Sequence, residues 1–82
     1  MLEKDLINLG FEKVIVQDIE NDFYYYKLEV VNGIFLVSNT NIESQNNDGE
    51  FIISNMDNAF IFIDEFSELA QFISVLRGNI LV

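Results

Sequence analysis

The sequence predicts an α+β domain: an antiparallel meander of four to five strands with an N-terminal and a C-terminal helix packed on one face. Three observations carry this reading. Two β-rich runs flank Asn32-Gly33, apolar residues recur at helical spacing at both ends of the chain, and 82 residues leave room for only one core. Helices segregated to one side of a meander are the two-layer solution for such an element order. Residues 1–82 are accordingly read as a single domain, with no repeat and no Gly/Ser linker.

The first helix is expected over Leu2 to Leu9, where Leu2, Leu6 and Leu9 share a face. Gly10 ends it, and Phe11 can fold back on the last turn. Val14-Ile15-Val16 is a β-branched run and reads as a strand, followed by the acidic turn Asp18 to Asp22. The run Asp22 to Asn39 carries the clearest signal. Asn-Gly favours a two-residue hairpin turn with positive φ at both positions. That turn opposes Val30 with Phe35 and Leu28 with Val37, and opposed residues share a face. The core face is then Tyr24, Tyr26, Leu28, Val30, Phe35 and Val37. The other face carries Phe23, Tyr25, Lys27, Glu29, Val31, Ile34, Leu36 and Ser38.

Thr40 to Gly49 reads as a polar loop. Two strands follow, Glu50 to Asn55 and Ala59 to Ile63, with a turn at Met56-Asp57-Asn58. The last helix is expected to be capped by Asp64 or Ser67, with Phe66, Leu69, Ile73 and Leu76 on one stripe widened by Phe72. Gly78 stops it, and Arg77 lies at the negative end of its dipole. The apolar tail Asn79 to Val82 is expected on the core or at a sheet edge.

Composition excludes several chemistries. With no Cys there are no disulfides or thiolate sites, and with no His the usual general base and zinc ligand are missing. Four basic residues against fourteen acidic ones, a net charge of −10, argue against direct binding of nucleic acid. No stretch is long and apolar enough for a membrane span, and Met1 to Asp5 has no secretory pattern, so the cytoplasm is the expected compartment. All four glycines sit at element boundaries, so no phosphate loop and no cofactor is expected. The serines lack a base to activate them, and no enzyme activity is expected. Asp18, Glu20 and Asp22 alternate as ligands of a hard cation would, but a solvated turn between two strands is the preferred reading. Asn46-Asn47-Asp48-Gly49 fails as a calcium loop, because Ser44 and Asn55 stand where Asp and Glu are required.

Two features point to a protein partner. The second sheet face is richer in Phe, Tyr, Ile and Leu than a small monomer can leave bare. Between Lys27 and Arg77 there is no cation, while Glu29, Glu43, Asp48, Glu50, Asp57, Asp64, Glu65 and Glu68 all carry negative charge. The chain is otherwise rich in Ile and Asn, as an AT-rich coding sequence gives, yet holds only Lys4, Lys13 and Lys27, so the charge looks retained. The candidate partner-binding residues are Phe23, Tyr25, Ile34, Leu36, Glu29, Glu43, Asp48 and Glu50. A protein with a basic surface is the expected partner, with a homodimer through the apolar face and a divalent-metal-binding role as alternatives. In size, charge and patterning the chain resembles small acidic α+β proteins of phages and mobile elements, some of which inhibit host nucleases. The resemblance implies an inhibitor that mimics nucleic acid; it assigns no site residue.

Overall fold

The computed structural model describes residues 1–20, 22–46, 48–56 and 61–78. The described chain runs α1 (Glu3–Asn8), β1 (Glu12–Val16), β2 (Phe23–Val31), β3 (Ile34–Ser38), α2 (Asn41–Asn46), β4 (Ile53–Asn55), β5 (Phe62–Ile63) and α3 (Phe66–Leu76). The five strands lie in sequence order, every neighbouring pair antiparallel, so the α+β meander expected from the sequence is present. Ala59 and the Asp57-Asn58 turn lie outside the described residues, as does the tail Asn79 to Val82.

α1 ends as its sequence dictates. Gly10 takes φ +97°, the Gly10 N–H donates to the Ile7 carbonyl at 3.0 Å, and the Phe11 N–H reaches back to Leu6 at 3.0 Å. This is the Schellman arrangement, which needs a left-handed residue after the helix. It brings Phe11 and Leu6, both buried, into one core with Tyr26, Leu28, Val30, Leu36, Phe51, Ile53, Ile63, Leu69 and Ile73. The Tyr26 ring meets Phe51 edge-on at 5.5 Å. Leu69 and Ile73 bring α3 onto the same sheet face as α1. α3 starts at Phe66 with Glu65 as its cap residue and no side-chain cap bond, so neither Asp64 nor Ser67 has the expected role. Arg77 does more than face the helix dipole. Its Nε donates to the Val30 carbonyl at 2.8 Å and ties the helix end to β2.

The β2–β3 hairpin departs from the expected register. Asn32-Gly33 does form the turn, but only Gly33 has positive φ (+85°). Asp48 is the one non-glycine residue with positive φ among those described. A two-residue type I′ turn requires both, so the chain uses a turn with one left-handed glycine and an extra residue on β2. The pairing shifts between Glu29 and Val31, and below that point Glu29 faces Phe35, Leu28 faces Leu36 and Lys27 faces Val37. A one-residue slip turns every side chain of a strand to the other face. Leu36, expected on the second face, is therefore 1% exposed in the core, and Phe35 and Val37 leave the core face. Ser38 is buried with Leu36, and its Oγ accepts the Tyr26 N–H at 2.8 Å.

The stretch read as a polar loop contains α2. Thr40 and Glu43 form a capping box: Glu43 N–H donates to Thr40 Oγ1 at 3.4 Å and Thr40 N–H to Glu43 Oε2 at 3.3 Å. Asn41 Oδ1 accepts the Tyr24 N–H at 2.8 Å, which anchors α2 to the end of β2.

Candidate interaction surface

The sheet has two faces and the described helices α1 and α3 bury one of them. Alternation along β2 places Phe23, Tyr25, Lys27 and Glu29 on the opposite, outer face. Cross-strand pairing then extends that face: Val16 faces Phe23, Val14 faces Tyr25, Val37 faces Lys27 and Phe35 faces Glu29. Ser54 opposes Val37, and Phe62, 70% exposed, opposes Ser54. The centre of the outer face is thus apolar, built from valines and aromatic rings that no other described element covers.

Its two ends differ in charge. Toward the hairpin, Glu12, Lys27, Glu29 and Phe35 share a depression of about 420 Å³, where the Lys27 Nζ sits 4.6 Å from the centre of the Phe35 ring. Toward the other end, α2 forms a wall. Phe23, Tyr25, Val37, Met56, Thr40 and Glu43 line an open depression of about 310 Å³. Beside it, Asp18, Glu20, Phe23, Ile42 and Glu43 line a second of about 310 Å³. Glu43 also borders a third, of about 530 Å³, with Asn46, Ile52 and Phe62. Among the described residues, no Lys or Arg lines any of these three. In the Thr40–Glu43 capping box the Glu43 carboxylate accepts the Thr40 N–H.

The sequence candidates therefore divide. Phe23 and Tyr25 lie half-buried on the outer face toward its α2 end, which Glu43 walls, and Glu29 is exposed toward the hairpin. Leu36 belongs to the core, because of the register shift. Ile34, 42% exposed, lies on the Leu36 side of β3 at the hairpin tip. Glu50 pairs with the N-terminal ammonium at 3.8 Å. Asp48 takes φ +58° in the turn after α2, where Gly49 N–H closes on the Ser44 carbonyl at 2.7 Å. The structure adds Val14, Val16, Phe35, Val37 and Phe62 to the surface. The first two follow from pairing the Val-Ile-Val run with the aromatic run; the next two need the bulge.

On the helical side, Tyr24 Oη donates to Glu3 Oε1, and the Lys13 Nζ stands 3.9 Å above the Tyr24 ring. The Glu3 hydrogen bond, with burial behind it, pushes the Tyr24 phenol up to about 12. Among the described residues no three carboxylates are placed to hold one metal ion, so the Asp18, Glu20 and Asp22 alternative gains no support. No helix among the described residues is long and apolar enough to cross a membrane. Comparison with protein-family models, curated proteins and solved structures found no match, so the surface is read from its own geometry.

Proposed function

We propose that this chain is a non-catalytic protein-binding module that docks a basic partner protein on the outer face of its sheet. In its sharper form it is an inhibitor that lies in the nucleic-acid-binding groove of that partner. One observation carries the reading: a contiguous apolar sheet face, uncovered by any described element, bordered by Glu12, Asp18, Glu20, Glu29 and Glu43, with Lys27 the one cation set on it among the described residues. An apolar centre within a charged rim is how protein interfaces are built. A rim of one sign steers the opposite sign toward it. The same rim disfavours a second copy stacked face to face, since two chains of −10 would oppose their carboxylates.

The test is affinity capture from the native host, followed by salt titration of the purified complex. The account expects a basic partner whose affinity falls on the order of tenfold or more as salt rises from about 0.05 to about 0.5 M. Affinity independent of salt would remove the basic-groove form. Light scattering on the isolated chain decides the homodimer: a dimer mass at micromolar concentration would replace the proposal with self-association.

A further inference from the structure

Resting on the reading of a basic protein partner, we propose that this partner also lends a strand: an extended segment of it adds to the open edge of β1. β1 ends the five-strand order, with β2 on one side and, among the described residues, no strand on the other. Which of its backbone groups are open follows from β2. The Tyr24 and Tyr26 N–H groups point away from β1, to Asn41 Oδ1 and Ser38 Oγ. Backbone direction alternates along a strand, so Phe23, Tyr25 and Lys27 turn theirs toward β1. Their opposites Val16, Val14 and Glu12 are then the bonded residues of that ladder. Lys13 and Ile15 therefore hold their N–H and C=O groups outward, two donors and two acceptors at strand spacing.

Folded proteins blunt such an edge with a bulge, a proline or a projecting lysine. β1 uses none of the three. Its five pairs with β2 run in unbroken register, and the chain contains no proline. Its lysine lies back on the sheet, with Lys13 Nζ 3.9 Å from the centre of the Tyr24 ring. Ile15, 65% exposed, is what the edge presents beside it. At an edge of this kind main-chain bonds supply affinity and alternate side chains supply specificity. Charge selects the occupant. Glu12 begins the strand and Asp18 and Glu20 follow it, all exposed. A second copy laid antiparallel, Lys13 against Ile15, would bring each Glu12 toward the Asp18 end of the other β1 and join two chains of −10. A basic segment meets the same carboxylates with opposite charge. Val14 and Val16, which face Tyr25 and Phe23 across the ladder, carry the apolar outer face up to this edge. One partner segment therefore spans both.

The test titrates an acetylated, amidated Arg-Val-Thr-Val-Arg peptide at millimolar concentration into the labelled full chain. Two controls run alongside: one with its three central amides N-methylated, one with glutamate for both arginines. Hydrogen exchange of the Lys13 and Ile15 amides should slow about fivefold once the peptide reaches about four times its Kd. The Val14 amide, already bonded to β2, should keep its rate. N-methylation should lower affinity about tenfold or more, and glutamate about fivefold. Ile15→Pro removes an outward N–H and leaves the β1–β2 ladder whole, so it should bind the peptide about tenfold more weakly, while Ile15→Thr binds as the wild type does. Should Ile15→Pro melt early, the N-methylated peptide still decides. Equal affinity of the plain and N-methylated peptides, or slowed exchange without the Lys13–Ile15 alternation, would overturn the added strand. Partner capture keeps the two levels apart. If Tyr25→Ser, Val37→Ser loses the partner and Ile15→Pro keeps it at full affinity, the face stands and the edge falls; if Ile15→Pro alone loses it, the edge stands and the face is wrong.

Discussion

Ser38 shows how one small side chain closes a structural account. At the end of the β2–β3 ladder its Oγ accepts the Tyr26 N–H at 2.8 Å and donates to the Asn39 carbonyl at 2.7 Å. Ser38→Ala leaves a buried N–H without its partner and should cost about 1–3 kcal/mol, read by urea denaturation. Tyr24 makes a second residue-level prediction. Its phenol is raised from 10 to about 12, first by the Glu3 hydrogen bond, then by burial. A group with a raised folded pKa stabilises fully below its unfolded value, and that stability is lost as pH rises toward the folded one. Stability should therefore fall between about pH 10 and 12, and Tyr24→Phe should flatten that fall. Tyr26, raised chiefly by burial, acts in the same direction. In an ultraviolet alkaline titration the late tyrosinate change should shrink in Tyr24→Phe, leaving the part that Tyr26 contributes.

The hairpin decides which residues face a partner. Asn32-Gly33 was legible as a turn, and so were the strands on either side, because propensity and turn chemistry agree there. The register was not, because it depends on whether Asn32 joins Gly33 in the left-handed region, and dipeptide identity alone does not fix that. A single glycine at φ +85° with one extra residue on β2 exchanges Leu36 for Val37 between the faces. The prediction is direct. Leu36→Ala should cost about 2–5 kcal/mol, and Val37→Ala about 1 kcal/mol or less, in the same denaturation assay. The reverse order would restore the two-residue turn. α2 is a different kind of gap. Its capping box, Thr40-x-x-Glu43, stands in the sequence, but the polar run around it lacks the apolar stripe that marks most helices. The two terminal helices were legible because Leu6, Leu69 and Ile73 recur at core spacing and glycines end both.

At the scale of the whole molecule, charge and apolar area meet on one surface. The count of −10 and the lack of cations between Lys27 and Arg77 were readable from the sequence; which carboxylates border the face was not. Glu43 reaches it through α2, whereas Glu50 is turned to the N-terminal ammonium. Salt should therefore have opposite effects on folding and on binding. Screening reduces self-repulsion and raises the melting temperature of the free chain, while it weakens the attraction of a basic partner. The most direct test of the docking face is partner capture by Tyr25→Ser, Val37→Ser set against the wild type. The account predicts a variant that stays folded and loses the partner. A folded variant that captures the partner as well as the wild type would contradict it.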